Sequence, residues 1–156
     1  MNSEPRYVSD SSEQLDAEAV ALEKLGAILG CTLVGEDLKL DGGAKLRVDG
    51  INHEHRILCE VYSRIGRLRG AQPHKLASDM LKLLLAERHL GGSWRKIICL
   101  ADEEAARCLR GRSWLAEAGK KMGFEVRAVE LPPPLRGRIL AAQRRQVMVN
   151  PSVDES

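Results

Sequence analysis

Apolar positions fall at helical spacing over residues 15–29, where Leu15, Leu22, Leu25 and Leu29 share one stripe. Ser11 or Ser12 is placed to cap this helix, and Gly30 to end it. Glu18 lies on the same stripe, since 15, 18, 22, 25 and 29 step by threes and fours. An acid facing a core is costly unless it has a partner. Glu18 therefore reads either as a stripe-edge residue reaching solvent or an arginine, or as an acid aimed at an internal site.

The period then drops to two. A weak strand over residues 32–40, interrupted by Gly35, leads into the Asp41-Gly42-Gly43 turn. Residues 44–51 alternate, with Leu46, Val48 and Gly50 on one face and Lys45, Arg47, Asp49 and Ile51 on the other. After a turn at residues 52–55 comes a second strand, 56–63. It sets Ile57, Cys59, Val61 and Ser63 against Leu58, Glu60 and Tyr62. The short connection predicts an antiparallel hairpin that brings Asp49 and Glu60 close.

Residues 65–71 form a basic, Gly-containing loop. Pro73 suits the first turn of a helix running to Leu90 and stopping at Gly91-Gly92. Its broad apolar side holds Leu76, Met80, Leu83, Leu84 and Leu90. Gln72, Lys75, Asp79 and Lys82 share one edge, where Asp79 is spaced to pair with either lysine. Residues 95–101 contain Ile97-Ile98-Cys99-Leu100, a run consistent with a strand buried on both faces. A helical region capped by Asp102 reaches Met122 with a break at Gly111, and residues 124–131 form a last strand. Strand, helix, strand at this length predicts a parallel crossover unit. Pro132-Pro133-Pro134 closes the compact part. The expected organisation is a loose tail over 1–12, one domain over 13–131 and a basic, partly helical extension over 132–156.

Composition narrows the function. The 156-residue chain is 44% hydrophobic and 29% charged, as expected for one soluble domain with a core. Aromatics are 3%, too few for a base-stacking platform, so Trp94 and Trp114 read as packing residues. The formal net charge of +2 neither requires nor excludes nucleic acid, but arginines crowd the second half. The four cysteines form no C-x-x-C pair. Cys59 and Cys99 read as small core residues, and free thiols imply a reducing, cytoplasmic setting. No apolar run approaches the roughly 18 residues of a membrane span, so no membrane partner is expected. His53 and His55 on a turn read as exposed loop residues.

Two strand-borne acids with a nearby lysine are what phosphodiester hydrolysis needs. Carboxylate oxygens suit Mg²⁺, which lowers the pKa of bound water; a lysine orients that water and offsets charge. Here the chain resembles the PD-(D/E)XK nuclease superfamily. Val48-Asp49-Gly50 matches its Asp motif, Glu60-Val61-Tyr62 lies where its (D/E)-x-K motif falls, and the order of elements over residues 15–131 agrees. The resemblance implies a three-layer restriction-endonuclease-like α/β domain with a mixed central β-sheet flanked by helices. It implies DNA cleavage with Mg²⁺ or Mn²⁺ held by Asp49, Glu60 and Glu18, and a homodimer is the common assembly. Tyr62 replaces the motif's lysine. Lys75 on the following helix, with Gln72 beside it, is the expected substitute, and Arg64, Arg67 and Arg69 are expected phosphate contacts. The alternatives are an inactive module of the same fold that binds nucleic acid or a protein partner, and an α/β interaction subunit unrelated to nucleic acid.

Overall fold

The computed structural model describes the backbone of residues 4–149 and the side chains of residues 12–148. Residues 1–3 and 150–156 of the expected tail and extension lie outside the described residues. The elements run α1 (Glu4–Leu29), β1 (Val34–Lys39), β2 (Lys45–Asn52), β3 (Ile57–Tyr62), α2 (Gln72–Leu90), β4 (Arg95–Leu100), α3 (Glu103–Arg110), α4 (Trp114–Lys121), β5 (Phe124–Ala128) and α5 (Pro133–Val149). The strands form one mixed sheet in the order β1-β2-β3-β4-β5. β1, β2 and β3 are antiparallel neighbours, whereas β3, β4 and β5 run parallel.

Helices cover both faces, giving three layers of an α/β fold. On one face Ile57, Cys59, Val61, Ile97 and Cys99 pack against Ala21 and Leu25 of α1. Ala17 of α1 joins Leu135 and Ile139 of α5 in the adjoining cluster. On the other face Leu58, Tyr62, Ile98 and Leu100 meet Leu76, Met80 and Leu83 of α2 together with Ala105, Ala106, Leu109 and Leu115 of α3 and α4. Each fully buried Leu or Ile contributes about 1.5–3 kcal/mol. Every residue of β3 is buried, so the Glu60-bearing strand is central rather than an edge.

α1 sits close to the sheet because its inward row is small. Ala17, Ala21 and Leu25 are fully buried at spacings of four, while Leu15 is 63% exposed. The expected leucine stripe is thus rotated: alanines face the sheet, and Leu22 and Glu18 flank them. Gly50 receives this close approach, since a Cβ there would lie 2.6 Å from Leu22 Cδ2. α1 also begins before Ser11 and Ser12, with Pro5 in its first turn, so neither serine caps it.

Three further expectations are corrected. The Pro132–Pro134 segment does not end the compact part, because α5 returns across α1 and buries Leu135, Ile139 and Ala142. Trp94 is buried as expected, but Trp114, at the start of α4, is 71% exposed. Asp102 stands at the N-cap of α3 but makes no side-chain cap bond. Its carboxylate instead accepts from Gly66 N–H at 2.8 Å and from Arg136 at 3.1 Å, tying the loop after β3 to α5.

Candidate acidic site where two strands part

A bulge creates the site. Val34 pairs with Ile51 and Glu36 with Val48, so Asp49 and Gly50 together oppose the single residue Gly35. A bulge of this kind re-aims a side chain and changes the facing of the residues beyond it. Leu46, Val48 and Ile51 all join the α2-side core, whereas Gly50 faces α1. The simple alternation expected for β2, with Gly50 beside Val48 and Ile51 opposite, fails at this point. The turn that returns to β3 is held by His55 N–H donating to Asn52 Oδ1 at 2.7 Å.

The β2–β3 ladder register ends at Gly50 and Cys59. One residue further, side chains take over from backbone. Asp49 N–H donates to Glu60 Oε2 at 3.0 Å, and Val61 N–H donates to Asp49 Oδ2 at 2.9 Å. Both acids are thereby held at the point where the strands part. Glu18 arrives from α1 close enough to Asp49 for the two acids to act on each other. α2 supplies a row one helical face wide. Lys75 Nζ donates to Asp79 Oδ1 at 2.9 Å, and the Lys82 ammonium meets Glu60 Oε1. Asp79 is 2% exposed and Glu60 1%.

Crowded acids hold on to protons. Burial, then the hydrogen bond and charge of Asp49, push Glu60 up to about 8 against the opposing pull of Lys82. Burial, then the charge and hydrogen bond of Asp49, push Glu18 up to about 7, against Lys75 and Arg47. Burial also raises Asp79, in spite of Lys75. For Lys75 burial works downward, but the hydrogen bond to Asp79 and the charges of Asp79, Glu60 and Asp49 outweigh it and raise the ammonium. Glu18 and Glu60 therefore keep their protons to higher pH than free glutamates do.

Glu18, Asp49, Glu60 and Lys75 come together from four elements. Gln72 does not join them through any described contact; its Oε1 accepts from Arg69 N–H at 2.9 Å at the start of α2. Arg64 donates to Gln146 Oε1 of α5 at 3.4 Å, while Arg67 and Arg69 are exposed on the loop. Tyr62 turns into the α2-side core, and its buried hydroxyl has no hydrogen-bond partner. His53 pairs with Glu36 at 3.0 Å, away from the acids. Asp79 and Lys82 are the residues sequence reasoning did not assign to the site. Their shared edge with Lys75 was legible; what was not is that this edge lies over Glu60.

In donor chemistry the acids suit a hard divalent cation, since all the donors are carboxylate oxygens, although the Lys82 ammonium occupies Glu60 Oε1. Among the described residues no group of three or more His, Cys, Asp or Glu side chains is arranged as a ready metal cage. Next to the site a cleft of about 190 Å³ opens between α1, α5 and the end of β3, and Lys75 lines it.

The chain matches no protein-family model, no curated protein and no solved structure. The fold and site define an α/β protein with a five-stranded mixed sheet and an acid–lysine cluster at the parting of β2 and β3. Among the described residues no helix is long and apolar enough to cross a membrane.

Proposed function

We propose that the chain is a metal-dependent phosphodiesterase acting on DNA, with a restriction-endonuclease-like fold and a PD-(D/E)XK-type site whose lysine is displaced to the helix after the second acid. The observation that supports this reading is the convergence of Glu18 from α1, Asp49 from β2, Glu60 from β3 and Lys75 from α2 around one point. Asp49 and Glu60 would hold a Mg²⁺ or Mn²⁺ ion, with Glu18 flanking them. The ion supplies Lewis acidity and a water of lowered pKa.

The chain's own groups have separate tasks. Lys75, its pKa raised by the charges of Asp79, Glu60 and Asp49, keeps its charge at neutral pH, and it would hold and orient an attacking water and offset charge building on the phosphate. Asp79 anchors that ammonium at 2.9 Å. Arg64 lines the neighbouring cleft, and it, with the exposed Arg67 and Arg69 of the same loop, would take neighbouring phosphates, a contact that weakens steeply with salt.

One observation favours a second reading, a non-catalytic module of the same fold that binds nucleic acid or a protein partner. Tyr62 fills the usual lysine position with a buried hydroxyl, and Lys82 already meets Glu60. Incubating plasmid and single-stranded DNA with Mg²⁺ or Mn²⁺ separates the two. Cleavage by the wild type that is lost in Asp49→Ala and in Lys75→Ala supports hydrolysis. Absence of cleavage by the wild type on either substrate overturns it in favour of the binding module.

A further inference from the structure

The cleft beside the acids is continuous with them. Gln14 lies one helical turn before Glu18 on α1, so the two share a face. Tyr62 is two residues beyond Glu60 on β3, and Lys75 belongs to both the cluster and the cleft wall. Ala142 and Gln146 of α5 form the far side, with Arg64 held at the mouth by Gln146. Glu13, an acid in the lining, is paired with Arg145 at 3.1 Å, and Lys75 with Asp79 at 2.9 Å, so the cation the lining offers is Arg64, bonded to the neutral Gln146.

Size then selects the occupant. A volume of about 190 Å³ is that of one planar ring system, since cavities near 150 Å³ hold a benzene-sized ring. A duplex, whose grooves alone are about 6 to 12 Å wide, does not enter such a cleft. The base of one unpaired nucleotide does: its phosphate would stay at the mouth near Arg64, and its edge would face Gln14 and the amide nitrogen of Gln146, since both amide atoms of Gln143 are held by the Ile65 backbone.

We propose that the cleft between α1 and α5 receives a single unpaired nucleotide next to the scissile phosphodiester, so that the substrate is a single strand or a frayed strand end rather than a continuous duplex. This rests on reading the acid cluster as a phosphodiester-processing site. Neither strand sequence nor stacking on aromatic rings enters, because Tyr62 is the sole aromatic of the lining among the described residues.

The test is binding without chemistry. A short fluorescein-labelled oligonucleotide, single-stranded or annealed as a blunt duplex, is titrated in EDTA and followed by anisotropy. The wild type is compared with Gln146→Glu and Ala142→Trp. Gln146 is exposed, so Gln146→Glu adds a charge to the cleft without disturbing the core. The expected result is single-strand binding about tenfold tighter than duplex binding, with the preference lost in both variants and an unchanged melting temperature in Gln146→Glu. Equal affinity for the duplex, no binding of either form, or wild-type affinity in Gln146→Glu overturns the proposal. Cleavage assays on the same oligonucleotides with Mg²⁺ separate the two claims. Equal cleavage of duplex and single strand removes the cleft's role and leaves hydrolysis standing. Selective single-strand binding without cleavage removes hydrolysis and leaves the cleft.

Discussion

Asp49 and Glu60 are locked to each other through backbone rather than through a ladder: the N–H of Asp49 binds Glu60 Oε2, and the carboxylate of Asp49 binds the N–H of Val61, the residue after Glu60. The pair thus serves as the last rung of the β2–β3 hairpin. Asp49→Ala removes the acceptor for Val61 N–H and leaves a partly buried donor unmet, which costs about 1–3 kcal/mol. The same change relieves the repulsion that raises Glu18 and Glu60. Urea unfolding at pH 6 and at pH 9 resolves the two effects. A loss at pH 6 that shrinks at pH 9 is expected, and an equal loss at both would show that Asp49 acts as a strand residue alone.

The elements of this fold are legible in the sequence because each carries its own period and stop. The Gly30, Asp41-Gly42-Gly43 and Gly91-Gly92 breaks and the unbroken Ile97–Leu100 run place helices and strands with errors of one to a few residues at most ends. What the sequence conceals is relational. The bulge at Asp49 depends on how β1 registers with β2, and no local pattern shows that Gly35 faces two residues. Leu15 and Leu29 suggest a leucine stripe, yet the sheet demands close approach and selects Ala17 and Ala21. Lys75, Asp79 and Lys82 read as an edge of a helix; only the docking of α2 decides that the edge covers an acid.

The turn that folds back on the end of α1, where Cys31 N–H donates to Gly26 C=O at 3.0 Å, makes a stability prediction independent of function. A Cβ on Gly26 would lie 2.5 Å from the carbonyl oxygen of Cys31, a backbone atom with little freedom to move. Helix propensity favours alanine by about 1 kcal/mol, but overpacking against backbone costs about 1–3 kcal/mol. Gly26→Ala is therefore expected to lower the melting temperature, whereas the ordinary helical gain would raise it. Thermal unfolding by circular dichroism decides the sign.

Lys82 and Lys75 are expected to differ in kind. Lys82 lies against Glu60, is 30% exposed and neutralises a buried acid, while Lys75, 59% exposed, leans out from Asp79 toward the cleft. Lys82→Met leaves Glu60 without its cation and is expected to favour its protonated form further, shifting the pH profile of any cleavage upward. Lys75→Met is expected to abolish cleavage at every pH, by a factor of about 10² or more. A Lys82→Met enzyme with an unshifted profile would mean that the ammonium does not govern Glu60.

Proton affinity in the cluster sets how stability varies with pH. Glu18 and Glu60 have folded-state values of about 7 and about 8, above the ordinary 4.5. The folded protein therefore binds more protons than the unfolded chain between these limits, and stability must fall as pH rises. The contribution is fully present below about 4.5 and is lost as pH passes through 7 and 8. A fall in melting temperature between pH 6 and pH 9 is expected. Glu60→Gln should flatten most of it, because a neutral amide has no proton to lose. Divalent cations should act in the opposite sense, because ligand carboxylates must be deprotonated before they bind. Saturating Mn²⁺ is thus expected to raise the melting temperature at pH 8.5 far more than at pH 6, and to release protons measurable as buffer-dependent heat in calorimetry. A pH-independent Mn²⁺ effect, or one that survives Asp49→Ala with Glu60→Gln, would place the ion elsewhere on the protein.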